Sequence, residues 1–341
     1  MNLVIFKFNK LGDSVVFVSA VQAIRRRFPE WRITLLTTPA EAELYAGAAG
    51  PDEVLVCPKE AFERAYRRPW VLASWLWKIR RRNPKACIVP FDQGTTAHFL
   101  AGLSGASRRI GAKLVPPRMP GSLTVEIPCP DDGRPVTWSW LMVQVLVDPA
   151  NPSPGLPKEP PAPDLSHLLA QDPRPPGDRP RVVVHAGASR DLNQWSIGNF
   201  AAVAVSLCRD FEVTWISHGE TAGKAPRGTI DRPVGTVGEL ARALSGADLF
   251  LGNNSGPMHL ANALGCRGVV VTGSSARGWD PYWYRERWTV LRHPNLACAP
   301  CEKLQAVTPG CANIEHPMAC MAYWTPERVE QECRDNLAIS R

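Results

Sequence analysis

Three groups of residues in this 341-residue chain have the types and spacing to do chemistry. The first lies in 247–265, ADLFLGNNSGPMHLANALG. Leu249 to Leu251 is a short apolar run that stops at Gly252, and from Pro257 to Leu264 the apolar residues recur at helical spacing, so the stretch reads as strand, tight turn and helix. Asn253, Asn254 and Ser255 then fall at the strand's carboxyl end, with Ser255 as N-cap and Pro257 in the first helical turn, where its missing N–H costs nothing. The backbone N–H groups of Ser255, Gly256 and Met258 are expected to face outward, and a helix N-terminus of this kind attracts phosphate. A plain capped helix without ligand is the alternative. The following run, RGVVVTG from 267 to 273, is continuously apolar, as a parallel strand covered on both faces should be.

The second group is a cysteine series. Cys298, Cys301, Cys311 and Cys320 give C-x2-C-x9-C-x8-C, in which the close pair could share one tetrahedral metal and two further thiolates complete a structural zinc or iron site. The alternatives are free thiols in a Pro-rich loop, or two disulfides, which the compartment expected below disfavours. Cys57, Cys87, Cys129, Cys208 and Cys266 stand in strand or helix contexts and read as core.

The third group opens the chain. Residues 1–13, MNLVIFKFNKLGD, read as a strand and a short turn, and Val15, Val18, Val21 and Ile24 continue as a helix ending at Arg25, Arg26, Arg27 and Pro29. A second strand follows at 31–36. This is the first β-α-β of a doubly wound domain, in which ligands bind beyond the carboxyl ends of the strands. Asp13 occupies that place, either as a working carboxylate or as a helix cap. No G-x-G-x-x-G occurs, which argues against a dinucleotide oxidoreductase.

The elements that must position these groups divide into two halves. Residues 148–180 hold 11 of the chain's 33 prolines and read as a semi-rigid linker. The expected organisation is a first Rossmann-like domain over 1–150, a Pro-rich linker over 151–180, a second Rossmann-like domain over 181–325 carrying the Cys-rich loop 298–321, and a C-terminal helix over 326–341. The second half restarts with a strand at 181–185 ending in His185, a polar turn from 186 to Trp195, a helix at 197–208, and a strand at 211–217 followed by Glu220. His185, Glu220 and Asn254 would line one edge, with a carboxylate for ribose hydroxyls and backbone N–H groups for phosphates.

Composition narrows the partners. The net charge of +7 falls entirely in residues 1–150, which carry 20 Lys and Arg against 13 Asp and Glu, while the remainder carries 19 against 19. An acidic partner is therefore expected on the first domain. The segment 64–82 alternates Trp, Leu and Val between arginines, which suits an anionic membrane surface or a phosphorylated acceptor, or else a helix whose tryptophans pack on the sheet. No apolar run approaches the roughly 20 residues of a membrane span, and no signal peptide is evident, so a cytoplasmic protein is expected, peripheral at most to the inner face of the plasma membrane. Nucleic acid is not an expected partner.

Lys7 with Leu11-Gly12-Asp13, His185 with the turn from Ser189 to Trp195, Glu220 after its strand, and Ser255-Gly256-Pro257-Met258-His259 stand in one order along nearly the whole chain. In this the sequence resembles glycosyltransferase family 9, the heptosyltransferases. The resemblance implies an α/β GT-B fold, two Rossmann-like domains facing each other across a cleft. It implies inverting transfer of a heptose from ADP-heptose to an acidic saccharide or glycolipid of the lipopolysaccharide core, with no catalytic metal. By the same resemblance Asp13 is the general base and Lys7 supports the acceptor side or the developing charge. His185, Ser189, Arg190, Asn193, Glu220, Asn254, Ser255, Gly256 and His259 would form the donor site, with Glu220 on the ribose. Two positions depart from the family's habit. Asn193 stands where a lysine is common, leaving Arg190 to meet the phosphate charge, and Asn254 stands where an acidic residue is common, so that it could donate as well as accept. A same-fold transferase for another nucleotide sugar or acceptor, or a nucleotide-sugar-binding protein without turnover, are the rival expectations.

Overall fold

The computed structural model describes the chain except for residues 9, 48, 59–67, 92–93, 148–156, 170–178, 305–307 and 340–341. Two compact units result, Met1–Asp164 and Leu165–Arg341.

The first unit is built on a parallel sheet of β1 (Asn2–Lys7), β2 (Arg32–Thr37), β3 (Glu53–Val56), β4 (Ala86–Val89), β5 (Arg108–Ala112) and β6 (Val125–Ile127), in the order β3-β2-β1-β4-β5-β6. β1 and β4 are buried along their apolar residues, as central parallel strands must be. Helix α1 (Leu11–Arg27) is buried almost continuously from Ser14 to Ile24, and it packs against helix α4 (Pro135–Val147) and the 3-10 turn Ala42–Tyr45. Between them in sequence come α2 (Pro69–Arg80) and α3 (Thr95–Leu103).

The second unit repeats the plan. Its strands are β7 (Arg181–His185), β8 (Glu212–Ser217), β9 (Ile230–Pro233), β10 (Leu249–Asn253), β11 (Gly268–Val271) and β12 (Trp288–Leu291), in the order β9-β8-β7-β10-β11-β12. Helices α5 (Ile197–Leu207), α6 (Val237–Leu244), α7 (Gly256–Ala263), α8 (Ala319–Ala322) and α9 (Pro326–Ala338) accompany them. α6 starts where its sequence says it should: Thr236 Oγ1 accepts the Glu239 N–H at 3.2 Å, and Glu239 Oε2 accepts the Thr236 N–H at 3.1 Å. α9 starts at Thr325, whose hydroxyl accepts the Arg328 N–H, and buries Val329, Cys333 and Leu337, four residues apart, in the core of this unit.

Each sheet thus reverses its winding once, between β1 and β4 in the first unit and between β7 and β10 in the second. Those are the points where an open parallel sheet leaves a crevice at its carboxyl edge. Lys7 and His185 end β1 and β7, Asn254 follows β10, and Asp13 lies in the first turn of the helix after β1.

Half of the linker expected over 151–180 lies outside the described residues. Its middle is packed rather than suspended. Asp164 and Gln22 exchange two hydrogen bonds, Nε2 to the Asp164 carbonyl at 2.7 Å and the Asp164 N–H to Oε1 at 2.9 Å, and Trp140 Nε1 donates to the Pro157 carbonyl at 3.1 Å. Just beyond, Leu165 and Leu168 are buried in the second unit's portion of the chain.

Candidate functional site

In the second unit the carboxyl ends of β7 and β10 are joined by one side chain. Asn253 Oδ1 accepts the Trp195 N–H at 2.8 Å, and its Nδ2 donates to the Ala186 carbonyl at 2.9 Å and the Gly187 carbonyl at 3.3 Å. The turn from His185 to Trp195 and the turn that opens α7, read separately in the sequence, are therefore one structure. Gly252 makes the approach possible, since a Cβ there would stand 3.0 Å from the His185 carbonyl oxygen and closer still to the Phe250 ring.

At the start of α7, Ser255 holds the N-cap position, but its hydroxyl donates to the Asn253 carbonyl and caps nothing. Of the three outward N–H groups expected, that of Met258 is returned to the Ser255 carbonyl at 3.1 Å in a tight first turn. The N–H groups of Ser255 and Gly256 remain without an acceptor among the described residues, leaving two donors rather than three for an anion.

Both histidines of this region are buried, and burial pushes each down to about 4, with His218 adding to the effect at His185. At neutral pH they are uncharged rings, and the buried His185 Nδ1 has no hydrogen-bond partner among the described residues. His259 packs edge to face on Trp279 at 5.7 Å. Glu220 lies exposed on a 3-10 turn after β8. Ser189 is exposed on the turn after β7.

The two departures resolve differently from their sequence reading. Asn193 accepts a hydrogen bond from the Ser274 hydroxyl, so it is tied to the strand–loop beyond β11. Arg190, expected to meet the phosphate charge, already has an anionic partner. Its guanidinium pairs with the Glu302 carboxylate and donates to the Thr308 carbonyl at 2.7 Å, which neutralises its charge against the Cys-rich loop. Asn254 donates from Nδ2 to Asp280 Oδ1 at 3.2 Å.

The cysteine loop is gathered without being closed. Burial raises the Cys301 and Cys320 thiols, and the neighbouring thiols add to this, Cys298 and Cys311 at Cys301, and Cys311, Cys301 and Cys298 at Cys320. Yet among the described residues no three His, Cys, Asp or Glu side chains stand close enough to hold a metal ion. The tetrahedral site expected on Cys298, Cys301, Cys311 and Cys320 is therefore not formed among the described residues. Cys311 Sγ is engaged with backbone, accepting the Met318 N–H at 3.4 Å and donating to the Asn313 carbonyl at 3.6 Å. Among the described residues every cysteine is a free thiol.

In the first unit Asp13 sits in the first turn of α1 while Lys10 holds the N-cap position, which removes the cap reading of Asp13. Lys7 is buried at the end of β1 with Nζ 6.0 Å from the centre of the Phe17 ring. A third charged residue joins them that the sequence did not single out. Glu41 is buried, and burial pushes its carboxyl up to about 7; Lys7 opposes the shift and Asp13 reinforces it. No periodicity or motif marks Glu41, and only its burial beside a lysine and an aspartate makes it visible.

A family model described as glycosyltransferase family 9 (heptosyltransferase) matches residues 134–311. The chain belongs to that family. Over 105 residues it is 31% identical to lipooligosaccharide heptosyltransferase 2 of Campylobacter jejuni, a match that spans 31% of this chain and about 30% of that relative's length. Among solved structures, the E. coli heptosyltransferase WaaC with ADP-2-deoxy-2-fluoro heptose superposes with a TM-score of 0.71 at 15% identity, over 98% of this chain and 100% of that one. The iron-containing dodecameric glycosyltransferase TibC of enterotoxigenic E. coli superposes with a TM-score of 0.60 at 15% identity, over 99% of this chain and 76% of that one. These likenesses establish the fold, the α/β arrangement of paired parallel sheets termed GT-B.

Proposed function

We propose that this family 9 protein is an inverting glycosyltransferase that moves a heptose from ADP-heptose to an acidic saccharide or glycolipid acceptor of the lipopolysaccharide-core type. The observation that carries the reading is the Asn253 bridge, which holds the His185–Trp195 turn and the open N–H pair of α7 together at the switch point of the second sheet. A diphosphate suits that place because two N–H groups and the positive end of a helix meet it. The relative from C. jejuni and the WaaC structure, named for heptose transfer and an ADP-heptose analogue, support the same donor.

The chemistry asked of the chain is a single displacement. The acceptor hydroxyl oxygen attacks the anomeric carbon, its proton passes to the Asp13 carboxylate, and the bond from that carbon to the phosphate oxygen breaks with its electron pair leaving on ADP. The Ser255 and Gly256 N–H groups stabilise the charge that develops on the departing diphosphate, a role that requires no proton donor. Glu41, whose carboxyl burial raises to about 7, stands close enough to Asp13 to feel that carboxylate's charge. Glu220 takes the ribose hydroxyls, and His185, Ser189, Asn193 and His259 complete the donor pocket with uncharged hydrogen-bonding groups.

Two accessory features belong to the reading. The four thiols Cys298, Cys301, Cys311 and Cys320, which as they stand bring no three ligands close enough for a metal ion, would hold a structural zinc or iron only on drawing together. The exposed face of α2 meets an anionic membrane at the cytoplasmic side. Trp70 and Trp77, 66% and 61% exposed, lie two turns apart on one face, beside Arg68, Arg80 and Arg81, and the Arg81 guanidinium stands 4.9 Å over the Trp77 ring. No described helix is long and apolar enough to cross a membrane.

Calorimetric titration with ADP, UDP and GDP side by side tests the donor. Preference for ADP is expected, and preference for UDP or GDP would discard heptose while keeping Asp13.

A further inference from the structure

The segment that follows β11 carries an acidic residue, Asp280, onto Asn254. Asp280 is reached from three elements. Arg292, just past β12 and 6% exposed, donates from Nη2 to Asp280 Oδ1 at 2.8 Å, and its Nη1 donates to the Ser275 carbonyl at 2.8 Å. Asn254, at the end of β10, donates from Nδ2 to the same Oδ1 at 3.2 Å. From α7, His259 packs on the adjacent Trp279, and Asn262 accepts the Tyr282 and Trp283 N–H groups at 3.1 and 3.0 Å. Asp280 is thus fixed in place rather than carried on a loose turn.

The consequence for Asn254 follows from hydrogen-bonding valence. A carboxylate held beside a buried guanidinium accepts and cannot donate, so the group Asn254 turns toward it must be the amide NH2. The other atom, Oδ1, makes no hydrogen bond among the described residues, and it belongs to the residue that directly precedes the open N–H groups of Ser255 and Gly256. A free asparagine could offer either end of its amide to a ligand. This one is committed.

The geometry points to Asp280 as a positioning residue that locks the Asn254 amide with Oδ1 toward the donor sugar, so that the site recognises a sugar hydroxyl by accepting its proton. The inference rests on the donor reading above and deepens it. It makes the pair at 254 and 280 an exchanged version of a carboxylate at the strand end: the charge sits one residue back, and the acceptor atom is still presented. The ligand it selects is a nucleotide sugar with a free hydroxyl at the position facing Asn254, and it disfavours an analogue that presents only an acceptor there, because two acceptors then face one another without a proton.

The test compares ADP with ADP-heptose by titration on four full-length proteins: the natural chain, Asp280→Asn, Asn254→Asp, and the exchange Asn254→Asp/Asp280→Asn. The natural chain binds ADP-heptose more tightly than ADP. In Asp280→Asn the amide at 254 is free to turn, and affinity for ADP-heptose falls by about five- to tenfold, the worth of one hydrogen bond, while affinity for ADP stays within twofold. Asn254→Asp sets two carboxylates against each other and loses the same increment. In the exchange, the amide introduced at position 280 can accept from Arg292 and donate to the carboxylate introduced at position 254, so the increment returns. Equal weakening of ADP and ADP-heptose in Asp280→Asn, no change in either, or a folded exchange variant that fails to regain the increment would each overturn the inference. A natural chain that binds neither nucleotide, or shows no increment for the sugar, fails at the donor reading itself.

Discussion

Asn253 Oδ1 receives the backbone N–H of Trp195 at 2.8 Å, a bond between residues 58 positions apart that closes the loop after β7 onto the end of β10. Both ends of its amide are used, and all three partners are buried or partly buried backbone groups. Asn253→Ala orphans the Trp195 N–H and the Ala186 carbonyl together and should cost about 2–4 kcal/mol of the second unit's stability. Asn253→Asp keeps the acceptor but turns a carboxylate oxygen toward the Ala186 and Gly187 carbonyls at a fully buried position, and should cost at least as much as Asn253→Ala. Denaturant unfolding of the two variants checks both the size and the order.

Asp13→Ala should lower transfer by about 10²–10⁴-fold, the usual worth of a general base, while the affinity for ADP stays within about twofold. Single-turnover rates and ADP titration on the same preparation separate the two. An equal fall in ADP affinity would remove Asp13 from the chemistry.

Glu41 and the two buried histidines make opposite demands on pH. The Glu41 carboxyl titrates at about 7 in the folded chain against an ordinary value of 4.5, so the folded state holds the extra proton between those values. Its share of stability is present at low pH and is lost as pH rises through that window. His185 and His259, held down to about 4 from 6.5, bind fewer protons folded than unfolded, so their share is present above about 6.5 and is lost as pH falls toward 4. Melting scans should show Glu41→Gln gaining relative to the natural chain as pH rises from 5 to 8. The gain of His259→Gln should appear instead on the acid side.

The double variant Trp70→Ala/Trp77→Ala should fold normally, because both rings are exposed, and should lose co-sedimentation with phosphatidylglycerol vesicles. Raising salt to about 0.5 M should weaken binding of the natural chain, since the arginine contribution is screened within a Debye length. Binding equal to phosphatidylcholine vesicles would refute the charge component.

Metal analysis of the purified protein should find about one zinc or iron per chain, removed with the Cys298→Ser/Cys301→Ser pair and accompanied by a lower melting temperature. Absence of both metals would leave four free thiols and a loop held by the Arg190–Glu302 pair.

Much of this was legible in the residues. The strand, turn and helix from Leu249 to Leu264 and the first β-α-β with Asp13 at its turn follow from apolar spacing. β9 escaped because its residues, Ile230 to Pro233, are all exposed and polar enough to carry no alternation, and β6 because three residues make no pattern. The long apolar run of α4 has neither helical nor strand period, since nearly every side is covered. The site was legible at its strand ends and not at its second layer. Arg190 reads as a free cation until Glu302, 112 positions later, is found beside it, and Asn254 reads as an ambiguous amide until Asp280 settles which end it shows. Such pairings arise from tertiary neighbours that no local window contains.

The two sheets share one strand order, and each is packed about apolar residues of its own unit. Among the described residues, neither of these cores borrows from the other half. If the second half chooses the sugar and the first half chooses the hydroxyl that receives it, a lineage can alter the two in separate steps, each paying its stability cost within one half. A family built on such a chain is free to diversify by recombining old halves as well as by inventing new ones.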